Sequence, residues 1–172
     1  VVVPERRRRF GELPDEDGRM GFRVGIISDT HGLLRPEALH CLADVDHIIH
    51  GGDIGRPEII AALRRIAPVT AIKGNVDTSE WAKDYAETET VRLADRSLYV
   101  LHDRHALGID PVALGIDVVI SGHSHQVRID TIDGVLYLNP GSAGPRRFRL
   151  PVTLATLDLV PGELHPVIHD LV

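Results

Sequence analysis

Five short runs in this chain carry side chains able to bind a divalent cation: Asp29-Thr30-His31-Gly32, Gly51-Gly52-Asp53, Gly74-Asn75-Val76-Asp77, His102-Asp103 and Gly122-His123-Ser124-His125. Their donors are carboxylate, imidazole and amide oxygen. None is a cysteine thiolate, which argues against a closed structural zinc site of the finger type. Mixed oxygen and imidazole ligands suit an open, catalytic site. Imidazole favours zinc, iron and nickel, and oxygen ligands favour manganese and magnesium, so composition admits several ions and selects none. The candidate ligands are Asp29, His31, Asp53, Asn75, His102, His123 and His125. Seven are too many for one ion that keeps an open position, whereas two ions sharing a carboxylate use them naturally.

Each fragment alone is weak evidence. The chain has 10 histidines, and Asp103-Arg104-His105 repeats the Asp-x-His spacing of Asp29 and His31 as a decoy. The signal lies in repetition: metal-capable residues recur behind successive apolar runs, with glycines that let the backbone turn tightly.

The elements that must position these residues follow a βα rhythm from Arg23 onward. Short runs rich in Val and Ile end in polar residues and glycine, and helical segments follow. Strands are expected at Val24 to Ser28, His47 to His50, Val69 to Ile72, Ser97 to Leu101 and Val118 to Ser121. Helices are expected at Pro36 to Leu42, Pro57 to Ile66 and Pro111 to Leu114, each with proline where a first turn tolerates it. After Gly122 the pattern becomes strands and turns: Val127 to Ile132, the hairpin signal Asp133-Gly134, Val135 to Leu138, Val152 to Leu159 and Pro166 to Leu171. The expectation is an α/β domain with two packed mixed sheets flanked by helices, spanning residues 21–172 without internal repeat or linker. In such a sheet, loops beyond strand C-termini gather at one edge, so residues distant in sequence meet there.

Bulk properties set outer bounds. The chain has 172 residues, enough for one core. A net charge of -6 argues against a broad electrostatic groove for nucleic acid. The single cysteine, Cys41, excludes an internal disulfide and reads as a small buried hydrophobe. No apolar run reaches the length of a membrane span, and Val1-Val2-Val3-Pro4 is too short for a secretory core, so a cytoplasmic protein is expected. Residues 1–20, with Arg6 to Arg9 ahead of a Glu, Asp, Gly and Pro-rich stretch, read as a poorly ordered extension.

The ordered series Asp-x-His, Gly-Asp, Gly-Asn, His, Gly-His-x-His, running from Asp29 to His125, resembles the signature of calcineurin-like metallophosphoesterases. Ser28 to Gly32, Gly74 to Asp77 and Asn139-Pro140-Gly141-Ser142 look like its small bacterial and archaeal phosphodiesterase branch. The resemblance implies a four-layer αββα sandwich and two divalent ions, manganese first, with iron, zinc, nickel or magnesium as alternatives. Asp29, His31, Asp53 and His125 would hold one ion, and Asp53, Asn75, His102 and His123 the other. Asp53 would bridge them, about 3.5 to 4 Å apart, with a metal-bound hydroxide as nucleophile. Asp29, Asp53, Asn75 and His102 would be the catalytic set, Asn75 and Arg146 would contact substrate, and the substrate would be a small phosphoester, nucleotide-like and most simply a diester.

Three departures stand out. Val76 occupies the position after Gly-Asn where many relatives carry a histidine that protonates the leaving oxygen. A positioned acid contributes about 10²- to 10⁴-fold in rate, roughly 3 to 5 kcal/mol of barrier. Activated or nucleotide-like diesters are therefore favoured, unless Asp77 or His105 serves instead. Asp103 stands where glycine is more usual, and is expected to orient His102 or accept a proton. Val127 replaces a frequent proline, which touches the turn and no ligand.

Other residues are read more plainly. His50 is either a partner of the ligand loops or a hydrogen-bonded core histidine, and His40, His47, His165 and His169 are surface or satisfied. Arg146 and Arg147 follow the Asn139 turn and read equally as solvated surface residues or as groups that meet an anionic substrate. Trp81 and Tyr85 lie in Thr78 to Thr90, a candidate wall for a base, although packing is the simpler role for Trp81. A phosphomonoesterase with the same core and a scaffold of the same fold, like the retromer subunit, are the competing readings. A di-iron bundle would need Glu-x-x-His pairs, which are missing.

Overall fold

The computed structural model describes residues 21–172. The expected N-terminal extension, residues 1–20, lies outside them. The described residues form β1 (Phe22–Ile27), α1 (Pro36–Cys41), β2 (His47–His50), α2 (Pro57–Arg64), β3 (Val69–Ala71), β4 (Thr88–Leu93), β5 (Arg96–Leu101), β6 (Val118–Ile120), β7 (Val127–Ile132), β8 (Val135–Pro140), β9 (Thr153–Val160) and β10 (Glu163–Asp170). Short 3₁₀ turns occupy Glu80–Asp84 and Arg104–Ala106.

Two mixed five-stranded sheets result, ordered β10-β9-β1-β2-β3 and β4-β5-β6-β8-β7. β1, β2 and β3 are parallel, as are β5, β6 and β8, and the remaining pairings are antiparallel. Strand periodicity explains the layers. Val24 and Ile26 of β1 point between the sheets, against Leu98, Val118, Ile120 and Leu138 of the second sheet. Ile27 points the other way, into the cluster that α1 and α2 complete with Ala38, Leu42, Ile60 and Leu63. Burying each such Leu or Ile stabilises the fold by roughly 1.5 to 3 kcal/mol.

Pro36 and Pro57 begin the two helices, where a missing N–H costs nothing. The outer face of the second sheet carries a smaller cluster, Leu101, Ile116, Val119 and Val135, covered by loop residues Leu107 and Ile109.

Two sequence expectations change. Pro111 to Leu114 forms turns instead of a helix. The Asp110 carboxylate caps the N–H groups of Val112 and Ala113 at 3.2 and 3.3 Å. Val112 and Leu114 stay exposed, so a helix there would have no face to bury. The end of the segment read as a base wall is instead the edge strand β4, joined to β5 by a turn with Ala94 and Asp95 at positive φ. The Asp133-Gly134 hairpin forms as expected, with φ of 52° and 79°. No helix among the described residues is long and apolar enough to cross a membrane.

Candidate metal centre

The loops leaving β1, β2, β5 and β6 meet where the two sheets come together. Asp29, His31, Asp53, His123 and His125 all adopt left-handed backbone, with φ of 55°, 46°, 55°, 68° and 60°. Each such residue costs on the order of 1 to 3 kcal/mol and persists only when its surroundings over-determine it. Here the Asp29 N–H donates to the Gly52 carbonyl at 3.0 Å and the His31 N–H to the Asp53 carbonyl at 2.9 Å.

This backbone aims one oxygen of each aspartate inward. Oδ2 of Asp29 accepts from the Ser28 hydroxyl at 2.7 Å and from the His123 N–H at 3.1 Å. Oδ1 is buried without a hydrogen bond, 3.3 Å from His125 Nε2, 3.8 Å from His102 Nε2 and 3.9 Å from His31 Nε2. Oδ1 of Asp53 accepts from the Val76 N–H at 3.1 Å, while Oδ2 lies 3.1 Å from His102 Nε2 and 3.7 Å from His31 Nε2. His102 donates from Nδ1 to the Gly51 carbonyl at 2.8 Å, so its neutral form turns a lone pair on Nε2 toward both carboxylates. Acceptors crowded against acceptors in a buried place are the arrangement that a cation resolves, so the residues fit a divalent metal.

Asp29, His31 and His125 form one group with ligand atoms within 4.8 Å of one another, and Asp29, Asp53 and His102 form another. Asn75 and His123 stand at the exposed mouth, Asn75 Oδ1 facing His123 Nδ1 at 3.2 Å. The His123 ring meets that of His102 edge-on, 5.2 Å between centroids.

The charges of the site act on one another. Burial lowers the His102 pKa, but in the protonated ring Nε2 would donate to Asp53, and this with the Gly51 bond and the Asp29 charge raises the pKa above the usual imidazole value. Burial holds the His31 pKa down against Asp53 and Asp29, helped by the charges of His125 and Arg147. For Asp53 burial acts upward, yet the His102 bond, the Val76 N–H and His31 bring its pKa below the usual carboxylate value.

Several supporting roles were not legible in the sequence. Asp77 accepts from the N–H groups of Ile54 and Gly55, both at 3.0 Å, and of Gly74 at 2.9 Å, and so clasps the Asp53 loop to the Asn75 loop. With both oxygens engaged it is no spare acid. Glycine is obligatory nearby: a Cβ on Gly74 would sit 2.1 Å from Asp53 Oδ1, and one on Gly122 2.5 Å from Asp29 Oδ2. Asn139 donates to the Gly122 carbonyl at 2.8 Å, and the Ser142 hydroxyl donates to the Asp29 carbonyl at 3.1 Å. The Asn-Pro-Gly-Ser run was the one hint of these two.

His50 is wholly buried and ties two ligand loops together. Its Nδ1 accepts from the Gly52 N–H at 3.1 Å, which places the proton on Nε2, donated to Thr30 Oγ1 at 3.0 Å. The Thr30 hydroxyl then donates to the Ile54 carbonyl at 2.8 Å.

The remaining candidates fall outside the centre. Asp103 faces His123, 3.9 Å from Nε2, and not His102; its other oxygen caps the 3₁₀ turn through the His105 N–H at 3.0 Å. His105 is exposed and joins neither ligand group. Arg146 is exposed on the loop after Gly144, and it is the Arg147 charge that acts on His31. Trp81 and Tyr85 meet each other edge to face and pack against the helix-side core. His47 bonds Thr70, His165 bonds Glu163 and His169 bonds Thr156, all away from the centre.

Two packed mixed sheets whose loops gather carboxylates and imidazoles around buried, unbonded acceptors define a metallohydrolase framework. The profile of the calcineurin-like phosphoesterase superfamily domain matches residues 22–162, and the chain belongs to that superfamily. A Methanocaldococcus jannaschii protein named Probable metallophosphoesterase MJ0623 is 35% identical over 159 residues, covering 84% of this chain and 81% of its own. Phosphodiesterase MJ0936 of the same organism is 29% identical over 167 residues, 87% of this chain and 100% of its own. Among solved structures, one described as a novel archaeal phosphodiesterase superposes with TM-score 0.67 at 27% identity, covering 86% of this chain and 100% of its own. Vps29 from Chaetomium thermophilum shares the fold, with TM-score 0.71 at 15% identity over 87% of this chain and 95% of its own.

Proposed function

We propose that the chain hydrolyses phosphodiesters at a dinuclear divalent-metal site. One observation carries the reading: Asp53 Oδ2 lies 3.7 Å from His31 Nε2 and 3.1 Å from His102 Nε2, a single carboxylate oxygen shared by imidazoles from two loops. In this reading Asp29, His31, Asp53 and His125 hold one ion and Asp53, Asn75, His102 and His123 the other. Manganese is the first choice, with iron, zinc, nickel and magnesium as alternatives that the same donors admit. When bound, such a pair supplies Lewis acidity toward phosphoryl oxygens and lowers the pKa of a coordinated water.

The protein's own part is positional. Asn75 and His123 stand at the mouth, where a phosphoryl group enters, and the buried Asp29 and His102 keep the floor dry. Arg147 adds positive charge that reaches His31. Val76 offers no proton, and Asp77 is spent on backbone N–H groups, so leaving groups that need little protonation are the natural substrates. The likeness to a phosphodiesterase over the whole of that relative's length supports the diester preference. The presence of all seven ligand candidates argues against a scaffold that has shed its chemistry.

The test compares bis-p-nitrophenyl phosphate with p-nitrophenyl phosphate, using chelator-stripped protein with and without Mn²⁺. Faster Mn²⁺-dependent cleavage of the diester is expected. Preference for the monoester would make the chain a phosphomonoesterase, and cleavage of neither despite bound ions would favour a scaffold.

A further inference from the structure

Two cavities flank the mouth of the metal centre. The larger, about 650 Å³, reaches Asn75 and His102 and runs out past Lys73. The smaller, about 190 Å³, lies against the outer face of β7 and β8. Asp103 and His123 line both and are the only described residues that do, so this pair forms the wall between them. A phosphodiester carries two ester arms on one phosphorus, and two cavities divided beside the centre give each arm its own place.

The smaller cavity gathers charged side chains of both signs, Arg104 and Arg128 with Asp103 on its wall and Asp130 beside it. Strand alternation and register bring Arg128, Asp130, Tyr137 and Asn139 to one face, since Arg128 pairs with Asn139 and Asp130 with Tyr137. Arg104 reaches the same face from the 3₁₀ turn that Asp103 caps, and its guanidinium lies 4.7 Å from the centre of the Tyr137 ring. Arg104 Nη1 bonds Asp130 Oδ2 at 3.2 Å, and Arg128 Nε bonds the same oxygen. One carboxylate thus serves two guanidinium groups and neutralises one of them. Each guanidinium has five N–H donors, and these contacts leave most of them for another acceptor. The nearby Asp103 carboxylate is engaged by the His105 N–H and faces His123.

We propose that the smaller cavity is a second substrate subsite, which binds a phosphate carried on the non-leaving arm of the diester through Arg104 and Arg128. The inference rests on the phosphodiesterase reading and narrows its substrate to diesters bearing a further anionic group. A phosphate presents several acceptor oxygens to two forked donors, the geometry that guanidinium groups recognise best.

The experiment compares the p-nitrophenyl ester of thymidine 5′-phosphate with the same ester phosphorylated at the 3′ hydroxyl, using the Mn²⁺-loaded full chain. The expected kcat/KM is about 10-fold higher or more for the 3′-phosphorylated ester, the scale of one charge-assisted hydrogen bond. In the Arg104→Gln, Arg128→Gln double variant the ratio should fall to about one, with partial recovery in the Arg104→Lys, Arg128→Lys variant. Equal rates in the unaltered chain, or a preference that survives the double glutamine variant, would overturn the subsite. A calorimetric titration of metal-free protein with thymidine 3′,5′-bisphosphate and thymidine 5′-phosphate reads the same subsite without turnover. Tighter binding of the bisphosphate, lost in the double variant, supports it even if neither ester is cleaved, an outcome that would sink the phosphodiesterase reading alone. Equal affinity for the two nucleotides would sink the subsite.

Discussion

His102 Nε2 and Asp53 Oδ2 approach to 3.1 Å although they leave different sheets, His102 following β5 and Asp53 following β2. The candidate metal centre is therefore also a seam, and ligand binding there reports on how the sheets are joined.

Asp53 contacts both sides of that seam. Asp53→Ala is expected to lower occupancy of both ions and abolish turnover, measured by elemental analysis after gel filtration and by bis-p-nitrophenyl phosphate cleavage. Two tightly retained ions per chain would refute the bridging role. His105→Ala, the parallel change at the decoy Asp-x-His, should leave metal content as it was.

Removing metal should loosen the fold. A ligand that binds only the native state at 100 times its Kd stabilises it by about 2.7 kcal/mol. Chelation is expected to lower Tm by several degrees, and Mn²⁺ to restore it, in a thermal melt with and without chelator. An unchanged Tm would mean the donor cluster holds no ion in solution.

Asp77→Ala strands three backbone N–H groups, those of Ile54, Gly55 and Gly74. Each buried donor left without a partner costs about 1 to 3 kcal/mol, and water relieves part of it. A loss of roughly 2 to 4 kcal/mol in urea unfolding is expected on that basis, together with weaker Mn²⁺ binding. Asp77→Asn should recover part of both. If Asp77→Ala instead keeps full stability and loses only rate, the residue is an acid after all.

His50 sets a pH dependence whose sign is fixed. Burial outweighs the Asp29 and Asp77 charges and lowers its pKa from the usual 6.5 to about 4. The folded chain keeps the ring neutral where the unfolded chain protonates it. The contribution is fully present above pH 6.5 and is lost as pH falls toward 4, by about 3 kcal/mol in all. Urea titrations of chelated protein between those limits should show a steeper loss in the unaltered chain than in His50→Gln. Parallel curves would place the titration elsewhere.

Much of the donor cluster was readable because metal-capable residues recur, in order, behind strands whose apolar runs were plain. Asp29, His31, Asp53, His102 and His125 could be gathered from order alone, since parallel strands deliver their loops to one edge. What order does not encode is direction. Nothing in the string says that Asp103 turns toward His123 and not His102, or that Asp77 spends both oxygens on backbone, because those depend on loop conformation set by distant partners. β4 was missed for another reason: its residues are largely exposed, so the alternation that marks a half-buried strand is absent. Pro111 to Leu114 misled in the opposite sense, since its proline promised a helix whose apolar residues find nothing to cover.

The left-handed backbone at five of the donor positions has an evolutionary corollary. Those residues sit in a backbone region that side chains other than glycine and asparagine adopt only at some cost, and hydrogen bonds such as Asp29 N–H to the Gly52 carbonyl hold them there. A descendant that abandoned metal chemistry would gain stability by exchanging His31, His123 or His125 for glycine or asparagine, residues at ease with positive φ. Exchange of an imidazole for glycine at these positions would therefore remove a metal donor and backbone strain in one step.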